Sequence, residues 1–386
     1  MAEMKITDSI CYVGVDDLTI DLFESQYRVP NGVSYNSYVI FDEKTAVMDT
    51  VDSRAAVQWM ENLEKALDGK APDYLVVSHM EPDHAGSIQV LAEKYPEMKL
   101  VGNAKTFPMM SQFFDMDLEG RKVLVKEGDT LNLGSHTLHF VMAPMVHWPE
   151  VMVSYEDSEK VLFSADGFGT FGALVKNEEW IAEARRYYMN IVGKYGMPVQ
   201  TLLKKAAALD IAMICPLHGP VLKENLGYYL EKYDIWSSYR PEEKGTVVAY
   251  ASIHGNTAKA AGRLAELLEA EGEKVTVFDL SRCDMSEAVE AAFQYDKMVL
   301  AAATYDGGIF PPMEDFLHHL KSKTYQNRRV ALVENGSWGP LAAKAMRAIL
   351  EGMKNLAICE KVVTIKSAMK PETEEQMKAL VEEFLQ

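Results

Sequence analysis

The segment Ser78-His79-Met80-Glu81-Pro82-Asp83-His84 carries four metal-capable side chains, His79, Glu81, Asp83 and His84, within six residues. Three more candidates follow, His147, Asp166 and His218, each just past a short apolar run. Together they supply four imidazoles and three carboxylates, enough for two metal ions if one carboxylate bridges. Taken alone, His218 reads as a hydrogen-bonded loop residue, and Asp166, before Gly167, as the start of a turn. The 79–84 segment resists that reading, because one short loop would have to solvate two carboxylates and two imidazoles to no purpose.

These side chains need strands to carry them. Tyr74-Leu75-Val76-Val77 reads as a buried strand that delivers His79, Glu81, Asp83 and His84 onto a tight loop fixed by Pro82, where alternating ligands converge on one point. Val141-Met142-Ala143, Val161-Leu162-Phe163 and Ile211-Ala212-Met213-Ile214 place His147, Asp166 and His218 in the same way. Strands are expected at 34–41, 45–48, 74–77, 98–102, 137–143, 151–155 and 161–164, with a helix near 54–67, which makes a mixed α+β domain. After 245 the pattern changes. Strands at 246–251, 274–280, 297–303, 329–334 and 360–366 alternate with helices at 257–271, 285–293, 312–321, 340–353 and 372–384, as in a doubly wound α/β domain with its ligand at the carboxyl ends of the strands. The polar, aperiodic stretch 235–246 marks the boundary, dividing the chain into 1–244 and 245–386.

Composition narrows the functions. At 386 residues with 48% hydrophobic and 25% charged side chains, the chain has the balance of a soluble two-domain protein. A net charge of -18 argues against nucleic acid and anionic membranes as partners. No apolar run suggests a membrane span, and Met1 to Lys5 lacks the apolar core of a signal peptide, so a cytoplasmic location is expected. Cys11, Cys215, Cys283 and Cys359 are scattered and read as four buried thiols.

A second constellation lies on the α/β domain. Ser252, Ile253, His254, Gly255, Asn256 and Thr257 lead from a strand into a helix, and hydroxyls, backbone N–H groups and a helix N-terminus there suit a phosphate. The same residues also fit an ordinary capped turn. Two further loops at the same sheet edge support the ligand reading: Ala303-Thr304-Tyr305-Asp306-Gly307-Gly308 and Asn335-Gly336-Ser337-Trp338-Gly339. Tyr305 and Trp338 are placed to flank a flat ring. No Gly-x-Gly-x-x-Gly fingerprint for a dinucleotide is present.

The metal pattern resembles the metallo-β-lactamase superfamily motif His-x-His-x-Asp-His with its distant His, Asp and His. Glu81 stands where the second His would be, and that extra anionic oxygen suits iron better than zinc. This departure resembles the flavodiiron proteins, and the three later loops resemble a flavodoxin site for FMN. The resemblance covers nearly the whole chain and implies a metallo-β-lactamase-like αβ/βα sandwich followed by a flavodoxin-like domain. It assigns His79, Glu81 and His147 to one iron, Asp83 and His218 to the other, and Asp166 to both. His84 corresponds to a position that is a ligand in some members and displaced by solvent in others. Phe171 stands where some members have a histidine, and Pro340 follows Gly339 where a second Trp is missing. Tyr187 or Tyr188 either supplies a hydroxyl near the irons or packs on an aromatic helix face.

The family's chemistry is reduction of dioxygen to water, of nitric oxide to nitrous oxide, or both. Dioxygen takes four electrons, two from the iron pair and two from FMN; two nitric oxide molecules take only two. The resemblance also implies a head-to-tail homodimer, or a dimer of dimers, and a separate electron donor such as rubredoxin or a reduced deazaflavin. Two alternatives compete with it: a lactamase-fold hydrolase with an accessory flavodoxin domain, and a gas-sensing electron-transfer module.

Overall fold

The computed structural model describes residues 4–176 and 179–386; part of the Met1 to Lys5 segment discussed above therefore lies outside the described residues. Two compact units emerge, one running through Tyr188 and resuming over Met197–Asp234, the other made of Met189–Gly196 and Ile235–Gln386.

The first unit is built on two sheets. The seven-stranded sheet has the order Met4–Lys5, Ile10–Tyr12, Tyr38–Ile40, Ala46–Met48, Tyr74–Val76, Lys99–Gly102, Lys122–Leu124. The five-stranded sheet runs Thr130–Asn132, Thr137–Met142, Met152–Glu156, Val161–Phe163, Met213–Cys215. Their inner faces form one core, in which Ile40, Met48, Val76 and Val101 from the first sheet meet Phe140, Met152, Phe163 and Cys215 from the second. The helix Ala56–Leu67 buries Trp59, Met60, Leu63 and Leu67 at helical spacing.

The second unit carries five parallel strands in the order Val275–Asp279, Glu243–Ala251, Tyr295–Tyr305, Arg329–Asn335, Ala357–Ile365, with the short strand Gly308–Ile309 antiparallel to the third in sequence. Its central strands are buried on both faces, as the continuous apolar runs require. The strand order reverses beside the first strand, which is where ligands sit in doubly wound sheets. The expected strands and helices of this unit are all present, with ends shifted by a few residues.

Several expectations for the first unit are corrected. The strand expected over 34–41 is two strands, Val33–Tyr35 and Tyr38–Ile40, in different sheets. The break at Asn36 and Ser37 is held by side-chain bonds: Asn36 Nδ2 donates to the carbonyls of Pro216 and Gly219, each at 2.8 Å, and Ser37 Oγ donates to Asp49 O at 2.9 Å. The stretch 235–246 is mostly regular, since the helix Leu226–Ser237 extends into it and a strand starts at Glu243. The short strands at 4–5, 10–12, 15–17, 22–23, 27–28, 122–124 and 130–132 give little periodic signal and were not expected. Only Cys215 and Cys359 are buried; Cys11 and Cys283 are half-buried, and none of the four is in a disulfide.

Candidate functional site

Strand ends position His79, His147, Asp166 and His218, and a helical turn positions Asp83 and His84. His79 follows Tyr74–Val76, His147 follows Thr137–Met142, Asp166 follows Val161–Phe163 and His218 follows Met213–Cys215, so both sheets contribute at one edge of the sandwich. Pro82 begins a one-turn helix, Pro82–Ala85, not an irregular loop. That turn separates the ligands of the 79–84 segment. His79 and Glu81 fall with His147 and Asp166, while Asp83 and His84 fall with His218. The single point of convergence expected from the segment is two points.

In the first cluster, His79 Nε2 lies 3.2 Å from Glu81 Oε2 and 3.2 Å from Asp166 Oδ2. His147 Nε2 lies 2.9 Å and 3.3 Å from the same two oxygens. In the second, His84 Nε2 lies 3.3 Å from Asp83 Oδ2, 3.2 Å from Asp166 Oδ1 and 3.0 Å from His218 Nε2. His218 Nε2 is 3.1 Å from Asp83 Oδ2. Asp166 thus presents one oxygen to each cluster. Adjacent donors about 2.1 Å from one ion in an octahedral shell are about 3.0 Å apart, which is the spacing found.

The donors have little else to do. Both oxygens of Asp83 and both oxygens of Asp166 are buried without a hydrogen-bond partner. Orphaned polar atoms of this kind are costly unless an ion engages them. The mixed oxygen and imidazole set, with no thiolate, suits iron. The residues therefore fit a diiron pair.

The electrostatics agree with a site built for cations. Burial works against a charged His79, yet Asp166, Glu150 and Glu81 raise its pKa well above the usual imidazole range. His147 is likewise opposed by burial but pushed up to about 9 by Asp166 and Glu81. Burial would raise Asp166 and Glu81; instead the surrounding imidazoles hold both carboxyls below the usual range. Without metal, protons take the cations' place.

Backbone strain marks the same loops. Ala165 and Phe168, flanking Asp166, have φ of 50° and 66°, and Met145, before His147, has φ of 66°. Non-glycine residues hold such angles only where surrounding structure over-determines them.

Of the tyrosine pair, Tyr187 faces the site. Its ring centroid is 5.5 Å from that of His218 and 5.1 Å from that of Phe171, whereas Tyr188 packs on Tyr233. Burial and then the charges of Asp166, Asp83 and Glu81 raise the Tyr187 hydroxyl well above its ordinary pKa, so it keeps its proton.

Sequence reasoning missed the residues behind the ligands. Glu150 Oε1 accepts from His79 Nδ1 at 2.7 Å, Ser34 O accepts from His218 Nδ1 at 2.7 Å, and Asp49 Oδ1 accepts from Ser78 N at 2.6 Å. Asp49 is pushed up to about 6, chiefly by burial. Glu150 lies three residues past His147 in the sequence, which gives no signal that it stands behind His79.

The second unit has a cleft of about 480 Å³ at the carboxyl edge of its sheet. It is lined by Ser252, Ile253, His254, Asn256 and Thr257 from the first expected loop and Ala303, Thr304, Asp306 and Gly307 from the second. Asn335, Gly336, Ser337, Trp338 and Gly339 line it from the third, and Leu341 and Ser367 join them. Gly255, with φ of 87°, caps the helix Asn256–Ala270, and its N–H donates to Ser252 Oγ at 3.0 Å. Gly255, Tyr305 and Gly308 are not among the lining residues, and the Tyr305 ring packs near Phe310. Trp338 is 98% exposed at the rim. Among the described residues no helix is long and apolar enough to cross a membrane.

Comparison with known proteins follows this division. Residues 33–219 match the ODP family beta lactamase model, and residues 247–378 match a flavodoxin domain model. The chain is 29% identical to a nitric oxide reductase of Moorella thermoacetica, over 94% of this chain and 93% of that one. It is 28% identical to an anaerobic nitric oxide reductase flavorubredoxin of Vibrio vulnificus, over 96% of this chain and 76% of that one. Among solved structures it is similar to rubredoxin oxygen:oxidoreductase of Desulfovibrio gigas, with a TM-score of 0.93, 28% identity and coverage of 99% and 97%.

Proposed function

The chain belongs to the flavodiiron family, and from that premise we propose that it reduces dioxygen to water, nitric oxide to nitrous oxide, or both, at a non-haem diiron site fed by FMN. It is an oxidoreductase. The observation that carries the reading is the pair of buried donor clusters joined through Asp166, in a chain that also holds a flavodoxin cleft. His79, Glu81 and His147 would hold one iron, Asp83 and His218 the other, and Asp166 both, with His84 at hand for the second. Ser252 to Thr257 would hold the FMN phosphate at a helix N-terminus.

When bound, the iron pair and FMN supply two electrons each. The protein's own residues orient and protect. The buried Tyr187 ring packs beside His218 with its hydroxyl protonated, and the rings of Phe23 and Phe171 pack against it. Hydrolysis would use neither a flavin nor a redox-active pair.

We assign 1–244 to the iron chemistry and 245–386 to the flavin. The cytoplasm is the proposed location, and a separate rubredoxin or reduced deazaflavin the donor. A head-to-tail homodimer is proposed to bring one chain's FMN beside its partner's irons. Exposed Ile253, Trp338 and Leu341 around the cleft support a covered surface there.

Metal and flavin analysis of purified protein, then anaerobic reduction and rapid mixing with each gas, tests the reading. Two irons and one FMN per chain, with fast reoxidation by at least one gas, are expected. Zinc without iron sinks it. Slow reoxidation by both gases points to a sensing module instead.

A further inference from the structure

The imidazoles of the two clusters differ in what stands behind them. His79 Nδ1 is bonded to a carboxylate, Glu150, at 2.7 Å; His218 Nδ1 is bonded to a neutral carbonyl, Ser34 O, at the same distance; His84 Nδ1 has no partner. Glu150 is 1% exposed, its Oε1 also accepts from Met80 N at 2.8 Å, and its Oε2 is buried without a partner. Its own carbonyl is held by Asn103 Nδ2 at 2.5 Å. Among the described residues, the ion pair of this carboxylate is with His79.

The anionic groups are therefore unequally shared. Asp166 serves both clusters, Glu81 the first and Asp83 the second, but Glu150 adds a further negative charge one imidazole away from the first cluster alone. A carboxylate that accepts from the outer nitrogen of a ligating imidazole fixes its tautomer and makes its inner nitrogen a stronger donor. A stronger donor favours the higher oxidation state of the ion it holds.

We propose that Glu150 is a positioning residue that makes the two metal positions electronically unequal, so that the ion at His79, Glu81 and His147 stays ferric to lower potential than the ion at Asp83 and His218. This rests on the diiron reading above. Half-reduction adds one electron and converts one ferric ion to ferrous, with the proton on His79 Nδ1 retained. The inference places that ferrous ion in the second cluster.

The test uses full-length protein loaded with iron and FMN, both counted, in a potentiometric titration followed by electron paramagnetic resonance. In Glu150→Gln the shape is kept and the charge removed. The first iron potential should rise, the half-reduced signal should shrink, and iron should be lost to a chelator about 10–100-fold more readily. Glu150→Asp, which keeps the charge, should fall between Gln and wild type, and decides the matter alone if the Gln variant does not fold. A merely structural role would leave potentials and signal unchanged once two irons are bound, and that outcome overturns the proposal. Wild-type protein that binds no iron overturns instead the reading beneath it.

Discussion

Asp166 is fully buried, and its two oxygens point to different clusters, each 3.2 Å from an imidazole nitrogen. Asp166→Ala should therefore abolish binding of both irons while FMN content stays near wild type, as read by metal analysis and flavin absorbance. Parallel loss of both cofactors would mean the two sites are not independent. The same residue sets a pH dependence. Burial opposes a charged His147, yet Asp166 and Glu81 push it up to about 9 from an ordinary 6.5. In metal-free protein this raised pKa contributes stability that is fully present below 6.5 and is lost as pH climbs through about 9. Urea midpoints of the metal-free protein should fall across that window, and retention of iron against a chelator should rise, because protons and metal compete for the nitrogen. A metal-free midpoint that climbs with pH would contradict the sign.

The elements do more than carry ligands. Gly219, directly after His218, sits at φ of 79°, and a Cβ there would lie 2.0 Å from Thr170 Cγ2. Gly219→Ala combines a left-handed penalty of about 1–2 kcal/mol with overpacking of about 1–3 kcal/mol. Guanidinium unfolding should show a loss of about 2–5 kcal/mol, with less than two irons retained. In the second unit, Thr304 Oγ1 accepts from Leu341 N at 2.9 Å and Ala342 N at 3.1 Å, tying the third strand's loop to the start of the helix Ala342–Leu350. Thr304→Val removes that cap at a cost of about 1 kcal/mol. FMN should be held about fivefold less tightly if the cap shapes the cleft; unchanged flavin affinity would show that the loops hold their places without it.

At the scale of the whole molecule, electron transfer depends on how copies assemble. Sedimentation and light scattering of loaded protein should give a dimer or a multiple of it. Dilution into monomer should slow iron reoxidation coupled to flavin without changing FMN or iron content. A fully active monomer would end the transfer scheme and leave Trp338, 98% exposed, without a proposed cover.

The second unit was almost wholly legible from its sequence, because buried parallel strands are continuous apolar runs and its helices are long and periodic. All seven metal candidates were legible as candidates too, since four of them share one six-residue segment and the other three each follow a short apolar run, and the substitution of Glu81 for an imidazole already pointed to iron. What pattern does not contain is direction. A one-turn helix at Pro82 sends neighbouring residues to two different ions, and a break at Asn36 and Ser37 moves a strand between sheets to reach the His218 loop. Glu150 and Ser34 are single polar residues among many, and only the sandwich brings them behind His79 and His218 from 71 and 184 residues away. The sequence alone determined which side chains can do the chemistry. Tertiary structure decided how the two groups come together and what stands behind each imidazole, because hydrogen bonds between distant segments exist only once the sheets have packed.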